Sequence, residues 1–100
     1  MSATDVVIDE KIKRKFRNPS KYKVIMLNDD HTPMEWVTDV LQQIFKHNQQ
    51  SSEAIMLQIH NEGSAVVGIY IYEIAEQKSV EATDASRERG FPLQLRIEKE

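Results

Sequence analysis

Between Lys21 and Phe45 the spacing of apolar residues changes from every second position to every third or fourth. The stretch "KYKVIMLN" alternates and then turns apolar, as a strand with a buried centre does. Val37, Val40, Leu41, Ile44 and Phe45 then recur at helical spacing, giving one buried stripe to about residue 47. Thr32 and Pro33 stand at the change, with Glu35 three residues after the threonine. That pattern is a capping box with proline in the first helical position, so Thr32 is expected to cap the helix. A strand that feeds a helix this directly restricts the chain to a mixed domain.

The remaining elements follow from the same signals. "HNQQSS" is a polar connection, and a second helix is expected from about Ser52 to Glu62, stopped at Gly63. "SAVVGIYIYEI" is dense in Val, Ile and Tyr and reads as a second strand. A third helix, about Ala75 to Arg89, places Ala75, Ser79, Ala82 and Ser86 on one face, small enough to lie close on a sheet. Gly90 ends it, Pro92 blocks its continuation, and "LQLRIEK" alternates as a third strand. The expected fold is α+β: one small β-α-α-β-α-β domain, a three-stranded sheet with three helices packed on it. Residues 1–19 show no sustained period and end in the break "RNPS". They read as a flexible N-terminal extension ahead of a folded body over 20–100.

Composition narrows the function classes. The chain has 100 residues, enough for one modest core. No apolar run approaches the roughly 20 residues of a membrane span, and "MSATDVVIDE" lacks the basic start and apolar centre of a secretory signal. There are no cysteines, which excludes disulfides, thiolate metal sites and Cys nucleophiles. A cytoplasmic location is expected. The net charge of −3 hides an asymmetry: residues 11–23 carry Lys11, Lys13, Arg14, Lys15, Arg17, Lys21 and Lys23 and no acid. Such an arm suits a tail that contacts another molecule, nucleic acid for example, or serves as a solubilising leader.

Candidate chemistry is sparse. Asp29 and Asp30 are paired carboxylates, but neighbours in an extended stretch point to opposite sides, and Asn-Asp-Asp leading into a helix is a common turn. His31, His47 and His60 lack the helical spacing of a zinc site. No serine sits in a nucleophile elbow, and 3 glycines do not make a phosphate-cradling loop. No catalytic residue, metal or cofactor is expected. Met56, Ile59 and His60, at i, i+3 and i+4, share one helical face, either as an apolar recess with a polar lip or as ordinary core.

"KYKVIMLNDDHTPMEWVTDVLQQIF", "MLQIHNEGSAVVGIY", "EIAEQK" and "FPLQLRIEKE" together resemble the ClpS family, bacterial adaptors of the N-end rule pathway. The resemblance covers about residues 20–100. It implies an adaptor rather than an enzyme, one that binds proteins beginning with Leu, Phe, Tyr or Trp and passes these N-degron substrates to the ClpA unfoldase of the ClpAP protease. It also implies that the body docks on the ClpA N-terminal domain while the extension takes part in delivery. A monomer without nucleic-acid or membrane partners is expected. By motif, Asn28, Asp29, Asp30 and His60 resemble the group that holds the substrate's α-amino end. Thr32, Met34, Val37, Met56, Ile59 and Leu93 resemble the side-chain pocket, and Glu73 and Lys78 part of the ClpA-facing surface. The chain departs from the family's common residues with His31 for Tyr, Trp36 for Phe and Ile59 for Val. The alternative reading is a nucleic-acid- or ribosome-associated module that works through the basic 11–23 arm.

Overall fold

The computed structural model describes residues 20–100. The expected extension over 1–19 lies outside them, as do five of the arm's cations. The elements run β1 (Lys21–Leu27), α1 (Met34–Gln43), α2 (Gln49–Glu62), β2 (Ser64–Ile71), α3 (Tyr72–Glu88) and β3 (Gln94–Lys99). The sheet is antiparallel in the order β2-β1-β3, so the first strand is the central one. Its central position explains why Val24, Ile25 and Met26 are buried in succession. α3 packs across all three strands, while α1 pairs with α2 and α2 reaches β2. The core joins Val24, Met26, Val37, Val40, Leu41, Ile44, Phe45, Ile59, Ala65, Val67, Ala75, Ala82 and Leu93.

Between Val24 and Ile25 the register with β2 slips, pairing Val24 with Gly68 and Ile25 with Val66. Val67 is thus the extra residue of a bulge, and its carbonyl accepts from His47 Nε2 at 2.7 Å. Gly68 leaves room here for the Tyr70 ring, which would have to shift to admit a Cβ. The third helix rests on its small face, with Ala75, Ala82 and Ser86 buried against the sheet side.

Several boundaries differ from the expectation, each for a local reason. α1 stops at Gln43 rather than near residue 47: the Ile44 and Phe45 amides both donate to the Val40 carbonyl, and Lys46 takes a positive φ of 62°. Thr32 does not cap α1. Pro33 holds the cap position, without a side-chain bond, and its carbonyl accepts from the Trp36 and Val37 amides. α2 starts three residues early because Asn48 Oδ1 accepts from the Ser51 amide at 2.8 Å, a cap hidden in a polar run. α3 begins at Tyr72, directly where β2 ends, although its first turn reads as strand.

Candidate functional site

The turn after β1, the first turn of α1 and the last turns of α2 enclose a cleft of about 230 Å³. Asn28, Asp29, Asp30, Thr32, Met34, Val37, Met56, Ile59 and His60 line it. One backbone bond brings its two sides together: the Asn28 amide donates to the Gly63 carbonyl at 2.9 Å. Gly63 adopts φ 93°, the left-handed stop of α2, and its own amide returns to the Ile59 carbonyl. The end of β1 is thereby pinned beside the helix end that carries Ile59 and His60.

Asp29 builds the turn itself. Its Oδ1 accepts from the His31 amide at 2.8 Å and the Thr32 amide at 2.7 Å, and its Oδ2 from the Thr32 hydroxyl at 2.7 Å. Partial burial raises its pKa, but the bonds from the Thr32 hydroxyl, the His31 amide and the Thr32 amide, with the His31 charge, outweigh it. The net result lies below the ordinary 3.8, so this carboxyl is ionised at neutral pH. The expected helix cap has become a turn clamp: Thr32 spends its hydroxyl on Asp29 instead of α1. Asn28 and Asp30 are exposed and make no side-chain hydrogen bond among the described residues. The mouth therefore offers one fixed carboxylate, one free carboxylate, one free amide oxygen and the exposed His60 ring.

Behind the mouth the wall is apolar. Val37 and Ile59 are buried, Met56 is half-buried, and Met34 is 43% exposed in the first turn of α1. That exposure excludes Met34 as a core filler. Leu93, expected in this wall, does not line the cleft; it is 1% exposed within the core. Arg87 Nη1 donates to the Phe91 and Leu93 carbonyls at 2.9 and 2.8 Å, which folds the chain back under α3 and carries Leu93 inward. Glu73 is exposed in the first turn of α3. Lys78 is half-buried, donates to the Ile44 carbonyl at 2.8 Å and sits 5.6 Å from the Tyr70 ring centroid. It completes the α1 terminus, and neither residue lines the cleft.

One support of the site carries no local sequence signal. Trp36 Nε1 donates to Ser86 Oγ at 2.8 Å across 50 residues, and Ser86 in turn donates to the Ala82 carbonyl. Arg89 lies 4.6 Å over the indole, and Phe91 packs at 5.9 Å. The start of α1, and Met34 with it, is anchored on the far end of α3. Among the described residues no three His, Asp or Glu side chains group as metal ligands.

These elements define a small α+β domain whose concave side joins an acidic mouth to an apolar wall. The family described as "ATP-dependent Clp protease adaptor protein ClpS" matches residues 17–96. The chain is 45% identical over 98 residues to the ClpS adapter of Rhodospirillum centenum, covering 98% of this chain and 89% of that one. It is 46% identical over 88 residues to the ClpS adapter of Treponema denticola, covering 88% and 87%. The structure of Agrobacterium tumefaciens ClpS2 bound to L-phenylalaninamide superposes with a TM-score of 0.79 at 46% identity, over 82% of this chain and 99% of that chain. The chain belongs to the ClpS family of Clp protease adaptors. No helix among the described residues is long and apolar enough to cross a membrane.

Proposed function

We propose that this adaptor, itself without enzymatic activity, binds proteins by a free N-terminal Leu, Phe, Tyr or Trp and delivers them to the ClpA unfoldase. The observation that carries the reading is the pairing in one cleft of unspent acceptors with an apolar recess. A free α-amino group is a cation with three donors, and several partly charged acceptors are needed to hold it away from water. Asp30 and Asn28 supply these directly, His60 supplies a ring nitrogen, and Asp29, which also lines the cleft, adds its fixed negative charge. An internal residue brings one neutral amide and leaves the acceptors unpaired, at about 1 to 3 kcal/mol for each buried one. Met34, Val37, Met56 and Ile59 then receive the side chain, and burying a Leu or Phe there contributes about 1.5 to 3 kcal/mol. A modest grip of this size suits handover.

The relative bound to L-phenylalaninamide supports the same chemistry, since that ligand joins a free α-amino group to an aromatic side chain. The exposed Glu73 is the free member of the proposed ClpA-facing pair, Lys78 being held by the Ile44 carbonyl. Degradation of a Phe-start substrate by ClpAP tests delivery. Addition of this protein accelerates it, and removal of residues 1–17 abolishes the acceleration while peptide affinity persists. Full acceleration by the shortened chain would contradict a delivery role for the extension.

A further inference from the structure

A second hollow, also about 230 Å³, lies between α3 and β3. Tyr72, Val80 and Ile97 give it apolar surface, with Val80 52% and Tyr72 43% exposed, while Glu76 and Asp84 stand on its rim. Ser79 Oγ is buried there with no partner among the described residues. The acids are unbalanced. α3 carries Glu73, Glu76, Glu81, Asp84 and Glu88, whereas its cations are turned to carbonyls, Lys78 to Ile44 and Arg87 to Phe91 and Leu93. Neither Glu76 nor Asp84 makes an ion pair among the described residues.

The occupant is indicated by where the chain enters the sheet. Lys21 pairs with Ile71 and its carbonyl accepts from the Glu100 amide, so residue 20 lies beside the start of α3. The Tyr22 ring meets Tyr72, one end of the hollow, edge-on at 5.2 Å. From Tyr72 to Asp84 the hollow follows α3 for about 18 Å, at about 1.5 Å per residue. The ten residues before Lys21 span at most roughly 35 Å. They include "KIKRKFR", residues 11–17, in which Ile12 and Phe16 are set among five cations. Apolar floor and acidic rim match apolar and basic side chains on the nearest segment of the same molecule.

We propose that the hollow between α3 and β3 is an intramolecular docking site for the chain's own basic arm, residues 11–17. Glu76 and Asp84 take its cations, and Tyr72, Val80 and Ile97 take Ile12 or Phe16. An arm held there is withheld from other partners until salt or a more acidic surface competes for it. This role is independent of what the cleft binds.

Paramagnetic relaxation in the full-length protein tests the docking. Since the chain has no cysteine, Glu10→Cys gives one attachment point for a nitroxide. The amide signals of Val80, Thr83 and Asp84 are expected to be at least halved, with Met56 and His60 spared. Attenuation should fade at high salt and in Glu76→Gln/Asp84→Asn. It should vanish when Lys13, Arg14 and Lys15 are each replaced by Glu, and return when Glu76→Lys and Asp84→Lys are added. Absence of attenuation, or its persistence without the two acids, would overturn the proposal. So would attenuation of an isotope-labelled, spin-free chain mixed with a spin-labelled one, which would make the occupant a second copy.

Discussion

Asp29 and Asp30 are adjacent at the mouth of the cleft, whereas Glu76 and Asp84 sit about two helical turns apart on the rim of the α3–β3 hollow. Both places set acid beside apolar surface. The cleft is built: Asp29 is held by three hydrogen bonds, the turn is pinned to Gly63, and two helices wall the recess. The hollow is open, its acids carried by one helix and without ion pairs among the described residues. A fixed turn favours recognition of a defined chemical group, such as the one ammonium proposed for the cleft. Loose acids on a helix favour a diffuse basic segment whose register matters little. Negative charge is common to both, so preorganisation makes the difference.

The largest effect on the cleft is expected from Asp29→Ala, which removes the acceptor of all three turn bonds. Peptide binding should be lost and stability fall by about 1 to 3 kcal/mol, read as a shifted denaturant midpoint. Asp30→Asn and His60→Ala should each weaken Phe-start peptides by roughly tenfold, about 1.4 kcal/mol, with the midpoint unchanged. An unaltered affinity in His60→Ala would remove His60 from the site. Met34→Ala should gain affinity for Ile- and Val-start peptides while retaining Leu and Phe, if the exposed thioether acts as a gatekeeper that crowds side chains branched at Cβ. An unchanged Ile-to-Leu ratio would end that gatekeeper role. Between its folded value and 3.8 the Asp29 carboxyl binds fewer protons in the folded than in the unfolded state. Its contribution to stability is therefore complete above 3.8 and lost as pH falls through the lower folded value, and Asp29→Asn should flatten that acid limb. Smallest of all, Glu76→Gln/Asp84→Asn should leave peptide affinity untouched.

The element order was legible because β1 and α1 carry opposite periods and Gly63 and Gly90 stand at helix ends. The turn at Asn28, Asp29 and Asp30 was legible for a similar reason, since its residue types announce a turn, whereas their grouping with His60 came only from the family resemblance. What escaped depends on partners distant in the chain or on competition between neighbours. Thr32 has the spacing of a cap, yet Asp29, three residues back, takes its hydroxyl first. The family resemblance puts Leu93 in the pocket wall, yet Arg87 draws its segment towards the core. Lys78 looks like a surface charge until Ile44, 34 residues away, offers a carbonyl. The Trp36–Ser86 bond that anchors the start of α1 leaves no trace in either local pattern.

The claim that the cleft reads a chain's first residue is tested most directly by calorimetric titration of peptides identical except at their N-terminus. Peptides beginning with Leu, Phe, Tyr or Trp should bind, those beginning with Ser or Glu should not, and N-acetylation of the Phe peptide should abolish binding with little dependence on salt. Equal affinity for the free and acetylated Phe peptides would contradict the account, because Asn28, Asp30 and His60 would then have no ammonium to hold.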